Sequence, residues 1–145
     1  MIKITNIRNI GDYEDYDEIW AIVRSLKSKS DKLIQVPELA PSSRLLGTYL
    51  GLKDNGEWTE QTFQSEYVPR FLKEMNNPIA REKLAYLWQE DKSGKKICLV
   101  CFCTKESMCH RSIIAGLLQG SGANVVCDTD TDYSHYWTKY QDLDK

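Results

Sequence analysis

The strongest constraint on the fold is the run Ile97 to Cys103, seven residues without a charge. A continuous apolar run of that length, bounded by the turn Asp91 to Lys96, marks a strand buried on both faces, as in the middle of a parallel sheet. After a short loop, Ile113, Ile114, Leu117 and Leu118 fall on one stripe of a helix over His110 to Gln119, which ends at Gly120 and Gly122. A further apolar run, Ala123 to Cys127, follows. Strand, helix and strand in this spacing form a βαβ unit, whose crossover is expected to be right-handed.

The rest of the chain is read around that unit. Ile2, Ile4 and Ile7 predict a first strand, and Gly11 to Asp17 an acidic turn. Ile19, Ile22, Val23 and Leu26 at i, i+3, i+4 and i+7 predict a helix ending near Lys27. After the polar linker Ser28 to Lys32, Leu33 to Val36 predicts a second strand, stopped by Pro37. Pro37 to Gly56, with Gly47, Gly51 and Gly56, predicts an irregular loop holding one helical turn at Ser43 to Tyr49. Thr59 is a candidate N-cap for a helix carrying Phe63, Tyr67, Phe71, Leu72 and Met75, kinked or divided at Pro69. Asn77 and Pro78 open another helix, with Ile79, Leu84, Leu87 and Trp88 facing inward. The segment 129–145, acidic and aromatic with Tyr133, Tyr136, Trp137 and Tyr140, is expected to pack on the body. The sum is one α/β domain over 1–145, a Rossmann-like three-layer arrangement with a small, mainly parallel sheet flanked by helices.

Composition narrows the function classes. A net charge of -2 gives no global attraction to phosphate backbones, so duplex nucleic acid is not the expected partner. Lys27, Lys29 and Lys32, and Lys92, Lys95 and Lys96, sit among acidic residues and read as solvated faces. No apolar run approaches the roughly 20 residues of a membrane span, and the N-terminus lacks a signal-peptide pattern, so a cytoplasmic location is expected. Five cysteines, four of them between Cys98 and Cys109, do not suit a secreted disulfide framework. Asp128, Asp130 and Asp132 are not a calcium loop, because Tyr133 stands where that loop needs glycine.

Chemistry concentrates after the central strand. Ligands of open α/β sheets bind outside the carboxyl ends of the strands, and the loop after Cys103 lies there. The helix beginning at Cys109 or His110 points its free N–H groups at that loop, and Arg111 in the first turn opposes the helix dipole unless an anion is near. Alternation places Leu99, Cys101 and Cys103 on one face and Cys98, Val100 and Phe102 on the other. Three readings compete. A thiolate at Cys109, or at Cys103, acts as nucleophile with His110 as base or acid. Cys101, Cys103, Cys109 and His110 hold zinc or iron, although C-x-C-x5-C-H is not the usual knuckle spacing; the alternative is no cofactor at all. In the third, the cysteines are small hydrophobes and Arg111 alone matters. Phosphatase and rhodanese loops also place a cysteine at a strand end and an arginine at a helix start. The interval from Cys103 to Arg111 is wrong for the first, and the second leaves the catalytic cysteine without a counterpart.

The segment from Leu99 to Ser112, with Cys101, Cys109, His110 and Arg111, resembles the signature of the DUF488 family. Pro41-Ser-Ser-Arg44 is similar to that family's Pro-x-Ser-Arg element, and the likeness covers most of residues 30 to 127. The chain departs from the family at Gln35-Val36-Pro37-Glu38, where Asp-Val-Arg is typical, and at Cys103, where glutamate is common. The resemblance implies a Rossmann-like fold with a polar pocket built from Arg44 and the Cys-His-Arg loop, and names no reaction. The leading expectation is therefore binding of an anionic, phosphorylated or nucleotide-like small molecule by Ser43, Arg44, Cys101, Cys103, Arg111 and Ser112, with Cys109 and His110 as candidate catalytic groups. The alternatives are a thiolate-dependent enzyme acting on a nucleoside or phosphoryl substrate, and an interaction module using an exposed aromatic tail.

Overall fold

A computed structural model describes residues 1–26 and 33–144. The expected linker 28–32 and the group Lys27, Lys29 and Lys32 lie outside the described residues. Five strands, β1 (Ile2–Asn6), β2 (Glu18–Ala21), β3 (Leu33–Gln35), β4 (Ile97–Cys101) and β5 (Val125–Val126), form a sheet in the order β3-β2-β4-β1-β5. Every pairing is parallel. Helices flank the sheet, giving the three-layer, Rossmann-like α/β fold expected.

The charge-free run is the central strand, and all five residues of β4 are buried. Regular pairing ends at Cys101, so Phe102 and Cys103 leave the sheet, and Phe102 is 53% exposed. Register pairs Asn6 with Cys101 and Ala21 with Val100, which brings the carboxyl ends of β1, β2 and β4 to one edge.

The stripe predicted as a helix over Ile19 to Leu26 is instead β2 and its continuation. Ile19, Trp20, Ala21, Ile22 and Val23 are all buried, an unbroken run suited to a parallel strand. Four apolar positions in eight residues satisfy the helical template and the buried-strand template alike, and only pairing decides between them. The local helical turn lies earlier, as a 3-10 segment over Ile7–Tyr13 started by Asn6, whose side chain accepts from the Arg8 N–H at 3.0 Å.

The second correction is α1 (Ser43–Asp54), where a loop with one helical turn is predicted. Ser42 caps it, accepting from the Leu45 N–H at 3.1 Å, while its own N–H donates to Glu74 at 2.8 Å. Gly47 and Gly51 lie within this helix, and each weakens it by about 1 kcal/mol relative to alanine. Burial of Leu45, together with the Ser42 cap, offsets that cost, so the glycine signal misleads here.

Thr59 is the expected cap, reciprocally bonded with Thr62, and opens α2 (Glu60–Thr62). One wider turn over Phe63–Tyr67 leads into α3 (Val68–Met75), divided from α2 close to Pro69 as expected. Phe63, Tyr67, Phe71, Leu72 and Met75 are buried. Asn77 caps α4 (Pro78–Lys92), accepting from the N–H groups of Ile79 at 2.9 Å and Ala80 at 3.0 Å. Leu87 faces inward, but Ile79 and Trp88 do not; they are 59% and 37% exposed, and Ala80 takes the buried place at the first turn.

Helix α5 (His110–Gly120) is buried over every residue from His110 to Leu118, because it contacts β1, β4, β5, α3 and α6 (His135–Asp142) together. The tail is thus a docked helix, with Tyr133, Tyr136 and Tyr140 buried and Trp137 partly buried. Two glycines of α5 permit the docking. A Cβ at Gly116 would lie 2.1 Å from the Tyr133 carbonyl oxygen, and one at Gly120 would lie 2.1 Å from the Trp137 Cβ. Among the described residues, no helix is long and apolar enough to cross a membrane.

Candidate functional site

The loop after β4 is pinned from behind. Asn6, at the end of the neighbouring strand β1, donates from Nδ2 to the Cys103 carbonyl at 2.7 Å. A 3-10 turn over Glu106–Met108 returns the chain to Cys109, the N-cap of α5. Glu106 is buried and accepts from the Asp128 N–H and the Tyr133 hydroxyl, each at 2.8 Å, and from the Thr129 hydroxyl. These bonds hold the loop to the segment after β5.

Within that frame Cys101, Cys103, Cys109 and His110 converge, each offering one donor atom, all within 4.8 Å of one another. The Cys101 and Cys109 sulfurs are 3.1 Å apart. Arg111 is 2% exposed; its Nη1 donates to the Cys103 carbonyl at 2.7 Å and to the Cys101 sulfur at 3.1 Å. Its Nε is buried with no hydrogen-bond partner among the described residues. The guanidinium therefore lies behind the thiols and offsets charge on them.

The sulfur held acidic is Cys101, rather than Cys109 or Cys103. Bonds from the Cys103 and Cys109 thiols, with the positive charge of Arg111 nearby, hold it well below the usual thiol range. Cys103, which donates to that sulfur, is pushed up to about 12, and burial pushes the Cys109 thiol well above its ordinary value. The three thiols are coupled, and the guanidinium favours ionisation of the sulfur it touches over the other two.

His110 is oriented by the sheet. Its Nε2 lies 2.7 Å from the Ile22 carbonyl oxygen at the end of β2. A carbonyl only accepts, so Nε2 carries a hydrogen and donates it, and Nδ1 faces Cys109, whose sulfur is 3.7 Å away. Ser112 is fully buried and donates to the Cys109 carbonyl at 2.8 Å, which occupies it inside the helix start.

A cleft of about 340 Å3 opens onto this centre. Cys103, Cys109 and His110 line it together with Arg24, Lys53, Tyr49, Tyr67, Phe102 and Met108. Ser43 and Arg44 are exposed on the first turn of α1 and are not among the lining residues. Among the described residues, the cations that face the cleft are Arg24, anchored by donating to the Pro41 carbonyl at 2.9 Å, and Lys53. Arg24 was legible in principle, because the carboxyl end of any recognised strand nominates the residues that follow it; taking β2 for a helix hid it. Tyr49, Lys53 and Tyr67 had no such signal. A larger cleft of about 480 Å3, lined from α4, α5 and α6, contains neither thiol nor imidazole.

A parallel α/β sheet whose central strand runs into a Cys-His-Arg helix start defines a class: Rossmann-like proteins with a thiol, imidazole and guanidinium centre at the sheet's carboxyl edge. The family profile described as the active DUF488-N3 subclade, DUF488-N3a, matches residues 5–122, and the chain belongs to the DUF488 family. Comparison with curated proteins and with solved structures gives no match.

Proposed function

We propose that this DUF488 protein binds an anionic, nucleotide-like small molecule in the 340 Å3 cleft, with the Cys-His-Arg centre as its reactive wall. The observation that carries this is the sharing of one cleft by two cations, Arg24 and Lys53, two tyrosine rings, Tyr49 and Tyr67, and the half-buried thiol Cys103. Cations suit a phosphate, rings suit a flat base, and the thiol adjoins both. Arg24 and Lys53 take the part that the sequence assigns to Arg44, and Arg111 acts through the sulfurs instead of meeting the anion. Thermal-shift and calorimetric screening against nucleotides and phosphosugars tests the proposal. A ligand whose affinity drops in Arg24→Ala and Lys53→Ala supports it, and an absence of any such ligand sinks it.

A second reading is a thiolate-dependent enzyme on the same class of substrate. The contact of Arg111 Nη1 with the Cys101 sulfur favours it, and so does the word "active" in the family description. Alkylation followed by mass spectrometry discriminates: Cys103, half-buried on the cleft wall, should label faster than the buried Cys98 and Cys127, and equally slow labelling of all three counts against this reading. All five cysteines are free thiols, which suits a reducing compartment such as the cytoplasm.

A further inference from the structure

We infer that Cys101, Cys103, Cys109 and His110 form a binding site for one zinc ion. The inference concerns the wall of the same cleft but does not rest on the nucleotide-like ligand.

Geometry is the first support. Four donor atoms, three sulfurs and one imidazole nitrogen, lie within 4.8 Å of one another, against the roughly 3.8 Å between sulfurs implied by a tetrahedral ion with zinc–sulfur bonds of about 2.3 Å. The Cys109 sulfur and His110 Nδ1 are already 3.7 Å apart, and Cys101 and Cys109 need only spread from 3.1 Å. The spacing C-x-C-x5-C-H is not that of a knuckle because no knuckle is used. The strand end supplies Cys101, the loop just after it Cys103, and the helix start Cys109 and His110.

The surroundings are those of a metal site as well. Histidine ligands donate their other ring N–H to a carbonyl or carboxylate, which fixes the tautomer; His110 does so to Ile22 at 2.7 Å and leaves Nδ1 for the ion. Arg111 Nη1 donates to the Cys101 sulfur at 3.1 Å, a bond that orients a thiolate ligand. Charge closes the argument. Three thiolates, a neutral imidazole and a divalent cation sum to -1, and the buried guanidinium of Arg111 brings the assembly to zero, which a desolvated site requires. Three sulfurs and one nitrogen in a closed set favour zinc over harder divalent ions.

The test uses the full chain, reduced, stripped with a chelator, kept anaerobic and titrated with zinc alone, so that its failure says nothing about nucleotide binding. One ion per chain is expected, with a raised melting temperature. X-ray absorption should show three sulfurs at about 2.3 Å and one nitrogen at about 2.0–2.1 Å. Cys103 is the half-buried donor, so Cys103→Ser should still fold, lose more than tenfold in affinity and show two sulfurs. Cys98→Ala and Cys127→Ala should change neither stoichiometry nor shell. The inference is overturned by no uptake, by uptake that Cys103→Ser leaves unchanged, by an oxygen-dominated shell, or by a sulfur count that falls with Cys98 or Cys127. A bound ion would also claim the sulfurs that the thiolate-enzyme reading requires, so the titration decides between those two.

Discussion

Gly116→Ala is the sharpest mechanical test of how the centre is held in place. The added methyl would lie 2.1 Å from the Tyr133 carbonyl oxygen and 2.9 Å from both the Tyr133 carbonyl carbon and the Tyr136 ring, where ordinary contacts of carbon are about 3.5 Å. The segment entering α6 must therefore retreat by more than an ångström. Overpacking of this kind costs about 1–3 kcal/mol, and the retreat also unseats Tyr133 and Tyr136, which are 5% and 1% exposed. Against this, alanine gains about 1 kcal/mol over glycine in a helix. The net expectation is a loss of about 1 kcal/mol, a drop in melting temperature of roughly 2–4 °C for a chain of this size. Tyr133 also donates to Glu106 at 2.8 Å, so the same retreat should loosen the cysteine loop and speed labelling of Cys103. Urea denaturation followed by circular dichroism measures the first effect, and timed alkylation the second. Gly51→Ala on α1 is the control, since its methyl meets nothing within 4 Å and should be neutral or stabilising. If Gly116→Ala is as stable as Gly51→Ala, the close approach of α5 and α6 is refuted.

Asn77→Ala removes the side chain that accepts from two N–H groups at the start of α4 and should cost about 1 kcal/mol in denaturant unfolding. Arg111→Met removes the charged donor that reaches the Cys101 sulfur and one of the two donors to the Cys103 carbonyl, which keeps Asn6, and a loss of about 1.5–3 kcal/mol is expected; a loss under 1 kcal/mol would show that the guanidinium does not hold the cluster. Burial works against charge on Asp128, but bonds from the Lys3 ammonium, 2.8 Å away, and from the Thr5 hydroxyl hold its carboxyl below the usual range. Stability from a lowered carboxyl is present above its unfolded pKa and lost as pH falls through the folded value, so Asp128→Asn should destabilise at pH 7 and much less near pH 3. Lys3 is likewise opposed by burial yet raised by Asp128, and its share is present below about 10.5 and lost as pH rises through its higher folded value. Equal destabilisation by Asp128→Asn at both acid and neutral pH would refute the ion pair.

The parts of the fold legible in the sequence were those where one physical demand acts alone. Ile97 to Cys101 has to be buried on both faces, and Asn77 before Pro78 has one strong use, so both were placed well. Ile19 to Val23 failed because a short apolar run meets two templates, and Gly47 and Gly51 failed because tertiary packing overrode a local preference. At the site, Cys101, Cys103, Cys109, His110 and Arg111 were found because they sit on one strand-loop-helix connection. Arg24, Tyr49, Lys53 and Tyr67 come from three other segments and meet the centre only through the sheet order, which no local pattern encodes.

The bond from His110 to the Ile22 carbonyl has a consequence for how this protein is dissected. The acceptor belongs to the main chain, so side-chain replacement at position 22 leaves it intact and an alanine scan passes over it. Its influence on the imidazole is exerted across 88 residues by strand placement alone. An amide-to-ester exchange between Ile22 and Val23, which weakens that one acceptor while keeping both side chains, is the substitution that would reach it.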